Sequence, residues 1–142
     1  MDDRSLHLLY LEADEQDAVL FQEALLGCLP DFSRPVTLQV ERTGEATLTA
    51  IENRRPNLIF LDFQRPTPED WDVLRALKVN THTAAIPVIV LAPHDASQVR
   101  DRAFAMHANG CVIKSVDPRE LTPRLKGTLS FWASPHVRLP ES

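Results

Sequence analysis

A run of four apolar residues, 58–61, leads directly into a carboxylate, Asp62, and this stretch constrains the fold more than any other. An apolar run without alternation is typical of a strand that is buried on both faces of a parallel sheet. Pro66 cannot continue a hydrogen-bonded ladder, so the strand must end before it. Asp62 is therefore predicted at the carboxyl edge of a central strand, where ligands bind in open α/β sheets. An Asp at this position is equally typical of a turn or helix cap, and the stretch alone leaves both interpretations open.

Strand and helix patterns alternate along the whole chain. Besides the Asp62 strand, strand patterns occupy residues 6–11, 36–40, 86–91 and 111–114, and helix patterns fill the segments between and after them. Such alternation is typical of an α/β domain whose parallel sheet is joined by right-handed crossovers. Residues 36–40 alternate between apolar and polar, which indicates an edge strand with one wet face. The sequence predicts a doubly wound, five-stranded sheet in the order 2-1-3-4-5, with helices on both faces.

The ends of two helices are predicted from their capping residues. Asp14 precedes the first helix and is a favourable N-cap. Either Asp95 or Ser97 caps the fourth helix, and the sequence leaves both choices open. Asn109 and Gly110 are predicted to end that helix, because both residue types favour helix C-termini.

The start of the last helix has two solutions. If Asp117 is the N-cap, Pro123 lies inside the helix and its ring clashes with the carbonyl of Arg119. If Thr122 is the N-cap, Pro123 occupies the favoured first position. We expect a broken or kinked first turn, and the sequence does not choose between the two solutions.

The composition fits one ordinary soluble domain. The chain has 142 residues, of which 44% are hydrophobic and 25% are charged, which is enough for a core. A net charge of −5 and scattered basic residues argue against a nucleic-acid surface. No apolar run approaches the roughly 20 residues of a membrane span, and the polar N-terminus is unlike a signal peptide. Cys28 and Cys111 are too few for a disulfide framework, so we expect a cytoplasmic protein with reduced core thiols.

Charged residues stand at or just after the carboxyl ends of the predicted strands. Glu12 and Asp14 follow the first strand, Asp62 ends the third strand, and Lys114 ends the fifth. Because close carboxylates repel unless a cation lies among them, Mg²⁺ is the expected ligand of this edge. Acidic groups around a divalent metal, with a lysine to take developing charge, suit the receipt of a phosphoryl group. The sequence has no glycine-rich loop of the kind that cradles a nucleotide or flavin phosphate.

In order and spacing, these residues resemble a known family. Glu12, the Asp62 strand with Pro66, the segment 86–88 and Lys114 match the receiver domains of bacterial two-component response regulators. The match runs from residue 6 to about residue 132. The resemblance implies a flavodoxin-like, CheY-like fold. It also implies that Asp62 is the phospho-accepting aspartate and that Lys114 contacts the phosphoryl group.

The resemblance further implies a metal site, from which this chain departs at one position. Glu12 corresponds to the first member of the family's acidic pair, and Asp62 and the backbone carbonyl of Gln64 correspond to further metal ligands. The second acidic position is Ala13 in this chain. Asp14 follows it and is a candidate substitute at a different angle. We therefore expect Mg²⁺ to bind at a weakened site.

Three switch positions of the family are altered as well. Ala92 replaces the Thr or Ser that ends the fourth strand, Cys111 replaces the aromatic switch residue, and Ser115 replaces the proline after the lysine. A ligand shifts an equilibrium only through contacts that differ between the two states, and the missing hydroxyl is such a contact. We expect weak, slow or absent switching on phosphorylation. A cis bond before a non-proline residue costs roughly 3 kcal/mol, so the 114–115 peptide is expected to be trans or strained.

Two hypotheses for function follow. In the first, the protein belongs to a two-component phosphorelay and accepts a phosphoryl group at Asp62 from a sensor histidine kinase. In the second, it is an atypical receiver that serves as a phosphorylation-independent binding or dimerisation module. A flavodoxin-like enzyme is a less favoured third interpretation, because the sequence has neither a cofactor loop nor a nucleophile–base pair. We therefore expect a protein that is not an enzyme.

The C-terminal segment carries a second resemblance. Phe131 and Trp132, followed by Leu139 and Pro140, are similar to the extension of single-domain regulators that partner bacterial phytochromes. We expect a receiver domain over residues 1–134 and a C-terminal extension over residues 135–142. Output is then expected through protein–protein contact, and the apolar residues of the last helix and tail predict a homodimer. The alternative is that Trp132 packs on its own core and the tail frays.

Overall fold

The computed structural model describes residues 5–132, in which strands and helices alternate as predicted. The strands are β1 (Leu6–Leu11), β2 (Val36–Glu41), β3 (Leu58–Asp62), β4 (Val88–Ala92) and β5 (Gly110–Ile113). The helices are α1 (Glu15–Cys28), α2 (Gly44–Asn53), α3 (Pro68–Val79), α4 (Ser97–Ala105) and α5 (Pro118–Trp132), with a 3₁₀ turn at Leu29–Asp31. All strand pairs are parallel and the order is β2-β1-β3-β4-β5. The predicted fold class and strand order are therefore confirmed.

The sheet separates two hydrophobic layers. One layer lies between the sheet and helices α2, α3 and α4, and the other lies between the sheet and helices α1 and α5. Strands β1 and β4 are buried along their whole length, and β3 is buried up to its last residue. By contrast, every residue of β2 is at least partly exposed, as its alternating pattern predicts for an edge strand. The central strands therefore end together at one edge of a rigid, dry layer.

Helix α4 departs from the predicted boundaries. Neither Asp95 nor Ser97 caps it, because the N-cap position is Ala96 and makes no side-chain hydrogen bond. The helix ends at Ala105, and the reversal comes at His107, whose φ is 72°, so the prediction that residues 109–110 end the helix was wrong. A positive φ is uncommon for residues other than glycine, although histidine is among the types that adopt it more often than most.

Helix α5 follows the first of the two predicted solutions. It begins at Pro118, and Asp117 lies just before it, with its carboxylate accepting a hydrogen bond from the backbone N–H of Arg119 at 2.9 Å. Pro123 lies inside the helix. Pro123 removes one backbone hydrogen bond of the helix, but a stripe of buried leucines still packs the helix against the sheet. These leucines are Leu121, Leu125 and Leu129. None of the helices within residues 5–132 combines the length and apolarity that a membrane crossing requires.

Helices α2 and α3 approach each other closely at Gly44. A Cβ atom placed on Gly44 would lie 2.5 Å from Cγ2 of Val73, whose side chain is buried in α3. A second contact, with Oε1 of Glu69, would be at 3.2 Å. By contrast, a Cβ atom on Gly127 in α5 meets no atom within 4 Å. A methyl group at Gly44, at the buried start of α2, therefore meets a packed neighbour, whereas one at Gly127, in the exposed part of α5, meets none.

We expect the substitution Gly44→Ala to lower the free energy of unfolding by about 1–3 kcal/mol, the usual cost of overpacking a core contact. Gly127→Ala in the exposed part of α5 should raise the free energy of unfolding by about 0.5–1 kcal/mol, because alanine has the higher helix propensity. Urea denaturation of both variants measures the difference. Changes of the same sign in the two variants would contradict the close approach of α2 and α3.

Candidate functional site

The carboxyl edge of the sheet brings together the charged residues that the sequence singled out. Glu12 follows β1, Asp62 ends β3 and Lys114 follows β5, where its backbone N–H donates to the carbonyl of Ala92 at 2.9 Å. The ammonium of Lys114 lies 3.3 Å from Oε2 of Glu12 and makes a direct hydrogen bond to Oδ2 of Asp62. The Lys114 side chain is 0% exposed, and those of Glu12 and Asp62 are 8% and 5% exposed. These three side chains form a buried ionic cluster.

Asp17, on the first turn of α1, adds a third carboxylate to this cluster. Its Oδ2 lies 3.8 Å from the ammonium of Lys114, and its side chain is 32% exposed. In the sequence Asp17 stands three residues after the Asp14 cap. An acidic residue in the first turn of a helix is common, so no signal in the sequence distinguished Asp17 as part of the site.

Tyr10 also belongs to the site, and the sequence interpretation missed it. Its hydroxyl donates to Oδ2 of Asp62 at 2.8 Å and lies 3.2 Å from Oε2 of Glu12. Its ring stacks on Phe21 with a centroid distance of 4.0 Å and is fully buried. A signal was present, because residues two apart on a strand share a face and a buried tyrosine hydroxyl needs a polar partner. Tyr10 stands two residues before Glu12, so its hydroxyl could have been placed beside that carboxylate.

Backbone groups satisfy the remaining carboxylate oxygens. The N–H of Gln64 donates to Oδ1 of Asp62 at 3.1 Å, and the N–H of Asp14 donates to Oε1 of Glu12 at 2.9 Å. Both carboxylates therefore have a hydrogen-bond partner on each oxygen. This satisfaction is what burial of charged oxygens requires, and it fixes the orientation of both groups.

The cluster divides its charge unequally between the two buried carboxylates. Burial, together with the hydrogen bonding and negative charge of Asp62, raises the pKa of Glu12 to about 7. Burial would raise the pKa of Asp62 too, but hydrogen bonding with Glu12 and the positive charge of Lys114 lower it below its ordinary value. Asp62 is therefore the carboxylate that stays ionised near neutral pH.

The two hydrogen-bond donors of the cluster also keep their protons. Burial lowers the pKa of Lys114, but the charge and hydrogen bond of Asp62, together with the charges of Glu12 and Asp17, outweigh burial and raise that pKa. Burial and the negative charge of Asp62 raise the pKa of Tyr10 far above its usual range. Near neutral pH the ionised Asp62 therefore faces one ammonium and one neutral phenol, and both act as donors.

An open cleft of 390 Å³ lies over this cluster. Its walls are the loops after β1, β2 and β3, and its lining includes Glu12, Ala13, Asp14, Asp17, Arg42, Asp62, Gln64 and Arg65. Asp14 lies at the rim, where its Oδ1 accepts a hydrogen bond from the backbone N–H of Asp17 at 3.0 Å and caps α1 as predicted. The cleft gives Asp62 access from solvent, which a phosphoryl donor needs.

The donor set fits a divalent cation incompletely. Glu12, Asp62 and the backbone of Gln64 line the cleft, but position 13 contributes only a methyl group. Among residues 5–132, no group of three or more His, Cys, Asp or Glu side chains has the arrangement of a ready metal site. Part of the reason is physical, since the ammonium of Lys114 already lies among the carboxylates and neutralises them. The metal-ligand roles of Glu12, Asp14, Asp62 and Gln64 remain predictions.

The altered switch positions surround the same edge. Ala92 is fully buried at the end of β4, and Cys111 is half-buried on β5. The peptide between Lys114 and Ser115 is trans, as is every other peptide within residues 5–132. The hydroxyl of Ser115 accepts a hydrogen bond from the backbone N–H of Asp117 at 3.1 Å, which leads the chain into α5. The substituted serine therefore serves the local turn.

The fold and the acidic edge define the class of CheY-like α/β domains. Residues 16–126 match the family described as the response regulator receiver domain, and the chain belongs to this family. Response regulator Rcp1 of Synechocystis sp. is 29% identical over 132 residues, which cover 88% of this chain and 87% of that protein. The family predicted from the sequence is confirmed.

Solved structures support the same assignment. The Mn²⁺-bound form of response regulator Rcp1 is similar with a TM-score of 0.78 and 28% identity, covering 96% of this chain and 99% of that chain. The phosphorylated cyanobacterial phytochrome response regulator RcpA is similar with a TM-score of 0.81 and 26% identity, with the same coverage of 96% and 99%. The predicted similarity to phytochrome-associated response regulators is therefore confirmed as well.

Proposed function

We propose that this receiver domain accepts a phosphoryl group at Asp62 from a sensor histidine kinase. The observation that carries the proposal is the buried cluster, in which Asp62 contacts both Lys114 and Tyr10 at the base of an open cleft. The cluster keeps Asp62 ionised, since Lys114 and hydrogen bonding lower its pKa. An ionised carboxylate with a lysine beside it has the two groups that acceptance of a phosphoryl group requires.

In the proposed reaction an oxygen of Asp62 attacks the phosphorus of a phosphohistidine on the kinase. The new O–P bond forms as the N–P bond breaks, and the imidazole leaves with the electron pair and takes up a proton. Negative charge spreads over the phosphoryl oxygens in such a loose transition state, and the Lys114 ammonium is placed to stabilise it.

The kinase partner is proposed to be a phytochrome. RcpA is described as a phytochrome response regulator, and this chain is 26% identical to it with a matching fold along 96% of its length. Rcp1, with 29% identity, covers a similar share of the chain. The cytoplasmic location and the signalling rather than enzymatic role are proposed together with this partner.

A divalent cation is proposed to assist the transfer, bound more weakly than in receivers with a complete acidic pair. Glu12, Asp62 and the carbonyl of Gln64 would hold it, with Asp14 at the rim of the same cleft. A bound Mg²⁺ supplies charge neutralisation for the phosphoryl oxygens. The solved Mn²⁺-bound form of Rcp1 supports a cation in a related protein.

We expect Ala13→Asp to raise the affinity for Mg²⁺ by roughly tenfold or more, because it adds a full charge beside the proposed cation. Isothermal titration calorimetry of the wild type and the variant measures the change. Ala13→Asn is the matched control, since it has nearly the same size without the charge. An unchanged affinity in Ala13→Asp would show that position 13 does not face the cation.

Asp62→Asn should abolish a hydroxylamine-sensitive adduct that forms when the protein is incubated with Mg²⁺ and acetyl phosphate. The amide is a poor nucleophile, and no other buried carboxylate of the cluster stays ionised as Asp62 does. Mass spectrometry of the intact protein measures the adduct. Asp17→Asn is the control, because it removes a nearby carboxylate without touching the acceptor, and it should still form the adduct.

An adduct that survives in Asp62→Asn would place the acceptor elsewhere. If the wild type forms no adduct at saturating Mg²⁺ and consumes no acetyl phosphate, the phosphorylation-independent binding module becomes the better account. Under the proposed function, phosphorylation changes the loop conformation only weakly, because Ala92 offers no hydroxyl and Cys111 no mobile ring.

We also propose that the receiver domain, with residues 135–142 as its extension, forms a homodimer through α5. A groove of 690 Å³ runs between β5 and α5, and Phe131 beside it is 58% exposed. Trp132 packs partly against the domain's own core, as the alternative prediction had it, while its ring meets that of Phe131 at 5.0 Å. The predicted contribution of Val137 and Leu139 lies outside the described residues.

We expect Phe131→Glu to weaken the dimer by at least about tenfold in its dissociation constant, as loss of an apolar anchor does. Leu26→Glu is the matched control, since Leu26 is 64% exposed on α1, away from the groove. Sedimentation equilibrium at micromolar concentration measures both. A monomeric wild type at that concentration would remove the proposal.

A further inference from the structure

The hydroxyl of Tyr10 is a buried polar group that contacts Asp62 but has no step of its own in the proposed phosphoryl transfer. Strand β1 is otherwise apolar from Leu8 to Leu11, and the Tyr10 ring is packed against Phe21. A phenylalanine would keep this packing, so the hydroxyl contributes only through its polar contacts. The hydroxyl donates to Oδ2 of Asp62 at 2.8 Å, lies 3.2 Å from Oε2 of Glu12, and accepts a hydrogen bond from the ammonium of Lys114 at 3.4 Å.

Three hydrogen-bond donors stabilise the negative charge of the Asp62 carboxylate. Gln64 donates its backbone N–H to Oδ1, and Lys114 and Tyr10 both donate to Oδ2. Among these, the Tyr10 hydroxyl is carried by a rigid central strand and is fully buried. It therefore stays aimed at the carboxyl group whichever oxygen carries the phosphoryl group. The other oxygen of the acyl phosphate, or the bridging oxygen itself, is its acceptor.

We propose that Tyr10 is a catalytic residue for the loss of the phosphoryl group, and that its hydroxyl shortens the lifetime of the aspartyl phosphate by stabilising the departing carboxylate. This inference rests on the proposed function of Asp62 as the acceptor. It adds a residue from β1 that limits how long the phosphorylated state persists.

The chemistry of hydrolysis explains the direction of the effect. The oxygen of a water molecule attacks phosphorus and forms a new O–P bond, while the bond from phosphorus to the Asp62 oxygen breaks. The electron pair returns to the Asp62 carboxylate, and the water proton leaves with inorganic phosphate or solvent. In a loose transition state the leaving carboxylate gains charge early, and a donor already aimed at it stabilises that charge. A hydrogen bond to a full carboxylate is roughly twice as strong as one to a neutral acyl oxygen.

Phosphorylation of Asp62 should respond much less to the same hydroxyl. In a loose transition state the attacking carboxylate has formed little of its new bond and has kept most of its charge. Tyr10 therefore stabilises the starting carboxylate and the transition state almost equally, and equal stabilisation leaves a rate unchanged. A longer lifetime with an unchanged rate of formation is the kinetic signature of the proposal.

The test compares Tyr10→Phe with the wild type in the full chain. Each protein is phosphorylated with acetyl phosphate at saturating Mg²⁺, and formation of the adduct is followed by intact mass spectrometry. The donor is then removed by desalting, and the decay of the adduct is followed in the same way. We expect the half-life to increase about threefold to tenfold, as the difference between a charge-assisted and a neutral hydrogen bond implies. The rate of formation should stay within about twofold.

Phe21→Leu is the matched control, because it disturbs the packing of the Tyr10 ring and leaves the hydroxyl in place. It should not lengthen the half-life. Thermal unfolding of all three proteins shows whether each variant is folded under the conditions of the assay. A longer half-life in Phe21→Leu equal to that of Tyr10→Phe would assign the effect to packing and overturn the proposal.

The remaining outcomes separate the two proposals. A phosphorylated wild type with an equal or shorter half-life in Tyr10→Phe overturns the role of Tyr10 and leaves Asp62 as the acceptor. An adduct that accumulates only in Tyr10→Phe supports the role of Tyr10, because the wild-type adduct is then lost too quickly to build up. If neither protein forms an adduct, the acceptor function fails and the role of Tyr10 fails with it.

Discussion

The buried ammonium of Lys114 is the interaction on which the site depends. It neutralises carboxylates from two strands and the first turn of α1, those of Glu12, Asp62 and Asp17, all within 4 Å of its nitrogen. Charges in a low-dielectric interior are tolerated only when they are paired and hydrogen-bonded, and removal of one partner is far more costly than removal of the whole set. Lys114 can reach this position only because β5 lies at the same carboxyl edge as β1 and β3. The ion cluster therefore depends on the parallel order of the strands.

The fold could be predicted because its signals are long and mutually consistent. Apolar runs at β1, β3 and β4 predict strands that are buried on both faces of the sheet. The alternating run at β2 predicts an edge strand, and the structure agrees in each case. Parallel strands end at a common edge, so the residues that follow them had to converge there. Glu12, Asp62 and Lys114 were placed together on this basis, and the structure brings them together. Because the strands were predicted to be parallel, the residues after their carboxyl ends could be predicted to form one site.

The parts that were missed depend on single contacts rather than on repeated patterns. The run of residues 6–11 predicts the strand β1, whereas the place of Tyr10 in the site depends on one contact, that of its hydroxyl with Asp62 at 2.8 Å. Helix α4 starts without a side-chain cap and ends at Ala105, two residues before the left-handed conformation of His107, so capping preferences do not set its ends. In α5 the buried leucines outweigh the cost of Pro123, which sequence preference alone could not decide. In each case the tertiary structure outweighs a local preference of the sequence. No pattern of residues shows how much free energy the tertiary contacts contribute.

This receiver differs from those with a hydroxyl residue at the end of β4 in the element that carries the hydroxyl near the acceptor. Here that hydroxyl belongs to Tyr10 on β1. A hydroxyl there, where this chain has Ala92, precedes a loop that is free to move and can therefore transmit a change at the acceptor. The Tyr10 hydroxyl lies on β1, which is fully buried between β2 and β3 and cannot move as a loop does. A donor on a rigid strand can alter the free energies of the carboxylate and of its phosphorylated form, but it cannot carry a displacement outward. Under the two proposals, the hydroxyl that contacts the acceptor therefore lies on the rigid strand β1 and not before the mobile loop after β4. A hydroxyl on β1 affects how long the phosphorylated state lasts, but it does not transmit a conformational change.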